Sequence, residues 1–203
     1  FDDAGNLFVS DTERNLINRI SPNGDSRIVA YGISYPRGLA VDTTTHKAYV
    51  ALNRANAILE IDGSVLRPFV TGIPNPFTLT FRAGGGSGNG LYIGQPEIGS
   101  LSFVSTAAST RGELRTIASG IDEASGADRA LDGTIYMGRW GREDSWQPDR
   151  NPHQKGGYQT VNPTGAVQPI RYPYGRAGKF RTITGDEEIF ELSDSVRTLT
   201  KIT

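Results

Sequence analysis

Apolar and polar residues alternate in short runs along most of this chain. Each run of four to seven residues closes at a Gly- or Asn-bearing turn. Such a pattern predicts half-buried strands joined by hairpins rather than helices, whose apolar positions would recur every three to four residues. The runs also repeat. A turn followed by an apolar strand with an aromatic ring occurs at Phe8, Tyr49, Tyr92 and Tyr136, rings 41, 43 and 44 residues apart. Self-similarity at that period predicts one four-stranded antiparallel unit per copy, the arrangement of a β-propeller.

The second copy is the most complete. It reads Leu39–Asp42, Ala48–Ala51, Ile58–Ile61 and Leu66–Val70, with Asp62-Gly63 as the turn between its third and fourth strands. That outer turn recurs at Asn23-Gly24, Arg111-Gly112 and Thr164-Gly165, and in weaker form at Asp194-Ser195. The inner turn recurs at Gly5-Asn6, Asn89-Gly90 and Asp132-Gly133. Linkers Tyr31-Gly32-Ile33, Thr71-Gly72-Ile73 and Ser119-Gly120-Ile121 each step into a new copy. We therefore expect an all-β chain of about five blades, as a single domain or as part of a larger propeller. Blade bounds fall near 1–35, 36–75, 76–126, 127–172 and 173–203. Phe8, Val50 and Ile61 should lie in the apolar layers between blades. The first blade lacks an innermost strand. Because unpaired strand edges are normally covered, a cover is expected either from Thr198–Thr203 or from further blades. The chain opens at Phe1 inside a repeat, so sequence upstream of it is also expected.

Composition narrows the chemistry. With 25 Gly and 36% hydrophobic residues the chain suits many short strands, and no apolar run approaches the ~18 residues of a membrane span. Cysteine is absent, which removes disulfides and thiolate metal sites. The formal net charge of −1 argues against broad electrostatic binding of nucleic acid.

Phe1-Asp2-Asp3-Ala4-Gly5-Asn6-Leu7-Phe8-Val9-Ser10-Asp11-Thr12, followed by Asn15, Ile17 and Arg19-Ile20, resembles an NHL repeat. Asn56 and Ile61 stand where Asn15 and Ile20 stand in the first copy. The resemblance is clearest over residues 1–75 and thins beyond about 137. It implies a propeller of the kind that presents a platform to proteins, glycans or RNA. More distantly it implies kinship with gluconolactonase-like and virginiamycin B lyase-like enzymes. Shared shape does not choose among these tasks.

Residues just after each ring should gather on one face: Asp11-Thr12-Glu13, Leu52-Asn53-Arg54, Gln95-Pro96-Glu97 and Arg139-Trp140-Gly141. By analogy with the gluconolactonase-like enzymes, Asp11, Asn53 and Glu97 could offer three oxygens to a divalent cation, although Leu52 and Arg139 interrupt the ring. His46 sits in a turn, and two histidines fall short of a multi-His zinc site. No Gly-x-Ser-x-Gly elbow is present.

The main departure from the repeat is an insertion at 140–157, which carries both tryptophans. Arg139, Trp140, Arg142, Trp146, Arg150 and His153 form a basic, aromatic set suited to a partner surface. The structural alternative is a small satellite cluster whose arginines pair with Glu143, Asp144 and Asp149. The acidic stretch Asp186, Glu187, Glu188, Glu191 and Asp194 matches no recognised calcium loop. The expectation is a non-enzymatic, extracellular binding or assembly module without a cofactor. Its contacts would be a protein, a glycan or further copies of itself. The alternative is a metal-dependent lactonase or lyase working on the axial face.

Overall fold

A computed structural model describes residues 1–42, 45–82, 88–121, 124–129, 134–139, 158–161, 166–170, 179–183, 189–193 and 198–202. Its strands are β1 (Leu7–Asp11), β2 (Leu16–Ile20), β3 (Ser26–Tyr31), β4 (Pro36–Asp42), β5 (Lys47–Leu52), β6 (Ala57–Asp62), β7 (Val65–Thr71), β8 (Thr78–Arg82), β9 (Gly90–Gln95), β10 (Ser100–Ser105), β11 (Leu114–Ser119), β12 (Ala124–Arg129), β13 (Ile135–Arg139), β14 (Tyr158–Val161), β15 (Val167–Ile170), β16 (Lys179–Ile183), β17 (Ile189–Ser193) and β18 (Thr198–Ile202). They form five antiparallel sheets in sequence order: β1–β3, β4–β7, β8–β11, β12–β15 and β16–β18. The first and last sheets have three strands and the other three have four. Among the described residues no helix is long and apolar enough to cross a membrane.

Phe8, Tyr49, Tyr92 and Tyr136 occupy β1, β5, β9 and β13, one in each of the first four sheets. The expected turns at Asn23-Gly24, Asp62-Gly63 and Arg111-Gly112 close the outer hairpins β2–β3, β6–β7 and β10–β11. Thr164-Gly165 and Asp194-Ser195 lie outside the described residues. One detail departs from the sequence reading. The terminal segment expected as a cover for the first sheet instead forms β18 and pairs with β17, so among the described residues β1 has β2 as its one ladder partner.

Packing follows from the period of two in each strand. Along β5, Ala48, Val50 and Leu52 face the first sheet, where they bury Ile17, Ala30 and Ile33 together with Ile61. Tyr49 and Ala51 face the opposite way, into a cluster with Ile73, Leu79, Leu91, Ile93 and Val104. On β9, Leu91 and Ile93 point back to the second sheet. Tyr92 points forward to Phe103, Ile135, Met137 and Val161. A central strand therefore has two apolar faces, and each large side chain buried this way contributes about 1.5–3 kcal/mol that an isolated sheet would lose. Val50 and Ile61 lie in the first of these layers as expected, with Phe8 packed against it.

Candidate functional site

The loops between second and third strands share one geometry. Asn15, Asn56 and Gly99 each adopt a left-handed backbone (φ 57°, 53° and 60°). Their carbonyls accept the amides of the linker isoleucines Ile33, Ile73 and Ile121 at 3.2, 3.0 and 2.9 Å. In the first two loops the asparagine Oδ1 also accepts a linker amide at 2.9 Å, from Tyr35 and Asn75 respectively. Asparagine tolerates the left-handed region and offers that acceptor, which explains its recurrence in the motif. Glycine replaces it in the third loop, where a Cβ would stand 2.9 Å from the Ile121 carbonyl oxygen.

Alignment of the loops on these three residues pairs Thr12 with Asn53 and Pro96. Thr12 Oγ1 donates to the Pro36 carbonyl at 2.7 Å and Asn53 Nδ2 to the Pro76 carbonyl at 3.4 Å. Both side chains tie one sheet to the entry of the next. Asn53 is thus a clamp between sheets. Asp11 accepts the Arg14 amide at 2.9 Å and lies 3.6 Å from the Arg14 guanidinium, while Glu97 accepts from Asn75 Nδ2. The candidate oxygen ligands Asp11, Asn53 and Glu97 therefore occupy three different repeat positions, each engaged with donors or acceptors of its own surroundings. Among the described residues no group of three or more His, Asp or Glu is placed to hold a cation.

Of the basic and aromatic set, Arg139 ends β13 with its backbone opposite Ala124. Its side chain, and all of Trp140, Arg142, Trp146, Arg150 and His153, lie outside the described residues.

A different cluster emerges on the same face. The Arg37 guanidinium carbon stands 4.6 Å from the Tyr35 ring centre and 4.9 Å from that of Phe77, and Arg37 Nη2 donates to Tyr35 Oη at 3.0 Å. Arg54 covers the same Tyr35 ring at 4.1 Å. Neither arginine has an acidic partner among the described residues. Sequence reading missed this cluster because its members come from two linkers, one strand and one loop. The one available signal was the alignment of Pro36-Arg37 with Pro76-Phe77.

On the opposite side of the sheets an ionic network centres on the buried Glu60 carboxylate. Glu60 receives Lys47 Nζ at 3.1 Å, Tyr49 Oη at 3.1 Å and a guanidinium nitrogen of Arg111. Burial alone would raise the Glu60 carboxyl, but donation by Arg111, Lys47 and Tyr49 outweighs it and holds the group below its ordinary value. Burial pushes the Tyr49 phenol up to about 12. Arg111 also covers the Phe69 ring at 4.8 Å, so the network ties the outer hairpin of the third sheet to the second.

No protein-family profile matches the sequence, and no curated protein sequence does. Solved structures do match. A streptogramin B lyase is similar at TM-score 0.65 and 13% identity, over 98% of this chain and 65% of that one. A gluconolactonase from Xanthomonas campestris is similar at TM-score 0.70 and 15% identity, over 94% and 66% of the two chains. A chain of a nidogen/laminin complex is similar at TM-score 0.69 and 11% identity, over 92% and 69%. The fold is a β-propeller. At these identities the likeness carries the fold alone. The chain spans 65% of the first of these structures, which is under two thirds of it.

Proposed function

We propose that this propeller is a non-enzymatic, extracellular binding or assembly module whose loop face contacts a protein or a glycan. The blade-four insertion, with Arg139, Trp140, Arg142, Trp146, Arg150 and His153, is the main contact surface in this reading. One observation carries it: Asn53 Nδ2 donates to the Pro76 carbonyl as Thr12 Oγ1 donates to that of Pro36, each tying one sheet to the entry of the next. The loop ends thereby serve to fix the scaffold, which suits a rigid platform for binding loops. A metal-dependent lactonase or lyase is the rival, favoured by the fold likeness to the streptogramin B lyase and the gluconolactonase.

Two measurements decide between them. Elemental analysis of the purified chain and lactone hydrolysis by intact, N53A and E97A protein should give no stoichiometric metal and no substitution-dependent rate. Bound metal with turnover lost in both variants overturns the binding reading. Screened on a glycan array, on a panel of extracellular proteins and on immobilised copies of itself, the chain should lose binding on Trp146→Ala with its melting temperature unchanged. Intact binding with a large loss of stability assigns Trp146 to packing instead.

A further inference from the structure

The Arg37 and Arg54 pair is charged, held in place and lacks a counter-ion among the described residues. Both guanidinium groups are stacked against one phenol ring. The ring's negative face attracts each cation, yet it carries no net charge, so both positive charges remain unneutralised. Pairing them here needs something that fixes the ring and something that neutralises the charge.

The first requirement is met on the page. The Tyr35 amide donates to Asn15 Oδ1 at 2.9 Å and its carbonyl accepts the Asn53 amide at 3.3 Å, which pins the residue between the first and second sheets. Phe77 is fixed as firmly, its amide donating to the Gly94 carbonyl at 2.9 Å and its own carbonyl accepting the Gly38 amide at 2.8 Å. The second requirement is not met by neighbouring loops. Glu97, which occupies the repeat position of Arg54, is bonded to Asn75, and Asp11 is bonded within its own loop.

We infer that Tyr35, Arg37, Arg54 and Phe77 form a subsite for the carboxylate of an acidic sugar. Arginine presents its donors in a planar fork that matches a carboxylate, and two such forks are held against this one ring. Arg37 is half-buried and tied through Nη2 to Tyr35, so its position is set before a ligand arrives. Arg54 is exposed and can close over the anion. The half-buried Phe77 ring adds an apolar flank, which suits a carboxylate carried on a compact sugar ring better than a free inorganic ion.

The inference rests on the reading of this face as a binding surface, but the two fail separately. A catalytic face would show metal-dependent turnover without touching the Arg37–Arg54 arrangement. The test is calorimetric or NMR titration of the chain with sodium glucuronate, glucose and sodium sulfate at low ionic strength. Glucuronate should bind with a Kd on the order of millimolar and glucose should not bind in the same range. Arg54→Gln and Arg37→Lys should each weaken glucuronate at least fivefold while the melting temperature stays close to that of the parent. Equal binding of glucose and glucuronate, or unchanged affinity in both variants, overturns the subsite. Displacement of glucuronate by an equal concentration of sulfate overturns its assignment to a sugar carboxylate.

Discussion

Tyr49 donates its phenol to the carboxylate of Glu60, the residue directly opposite it on the neighbouring strand, at 3.1 Å, and both side chains are buried. The register position of Glu60 holds Phe103 in the next sheet and Arg19 in the previous one. A charge at this position survives only because Lys47 and Arg111 converge on it. Glu60→Gln keeps the shape and removes the charge, leaving two cations against a neutral amide. Loss of one member of a buried hydrogen-bonded pair costs about 1–3 kcal/mol, so the urea midpoint should fall with an unchanged slope. A midpoint equal to that of the parent would show that the network contributes nothing to stability.

The same network contributes to both limbs of the stability–pH curve. Glu60 is held below the ordinary value of 4.5, so its contribution is complete above pH 4.5 and is lost as pH falls through its lower folded value. Tyr49 works in the other direction: its phenol, ordinarily at 10, is raised to about 12. Its contribution is complete below pH 10 and disappears between pH 10 and 12, by up to ~2.5 kcal/mol. Tyr49→Phe should cost about 1 kcal/mol at neutral pH and should remove that alkaline step. An identical step in the variant would assign it to Lys47, whose ammonium is also raised, chiefly by Glu60.

Gly38 marks the closest approach of two inner strands. A Cβ built there would stand 2.6 Å from the Leu79 nitrogen, 2.7 Å from the Thr78 Cα and 2.8 Å from the Phe77 oxygen. All three are backbone atoms, so no rotamer change can relieve the clash. Gly38→Ala should therefore destabilise the chain by about 3 kcal/mol in chemical denaturation, while the equally simple Gly63→Ala, with open space around its Cβ, carries only the strain of its positive φ. Equal losses in the two variants would mean that the β4–β8 contact yields.

The fold was legible because each strand lies between two neighbours and must repeat their alternation. Tyr49 and Val50 serve opposite layers, so the apolar run around each ring had to recur wherever a sheet recurred. Turns were legible for a related reason, since Gly24, Gly63 and Gly112 of the outer hairpins each adopt a positive φ. The candidate site was not legible to the same degree. Tyr35, Arg37, Arg54 and Phe77 meet only because Pro36 and Pro76 deliver two linkers to one place, and of the four the repeat relates only Arg37 and Phe77. Glu60 and Arg111 stand 51 residues apart and join different sheets, a separation that strand periodicity does not encode. Asn53 was legible as a polar loop residue, but its role as a clamp appears only once the Pro76 carbonyl is placed beside it.

Asn56 combines two requirements that substitution can separate. Its left-handed backbone at φ 53° favours asparagine or glycine, and its Oδ1 accepts the Asn75 amide at 2.9 Å. Asn56→Gly keeps the first and loses the second, leaving the Asn75 amide to find water, at a cost of about 0.5–1.5 kcal/mol. Asn56→Ala loses both and adds the strain of an L-side chain in that region, about 1–2 kcal/mol more. The order of stability should therefore be Asn, then Gly, then Ala, with Asn15 behaving alike because its Oδ1 accepts the Tyr35 amide. Substitution at Asn15 should also weaken glucuronate, since that amide holds the ring on which Arg37 and Arg54 rest, whereas substitution at Asn56 should leave it unchanged. An Asn15→Gly chain that is destabilised yet binds glucuronate as the parent does would show that the arginine pair is positioned without the help of its loop.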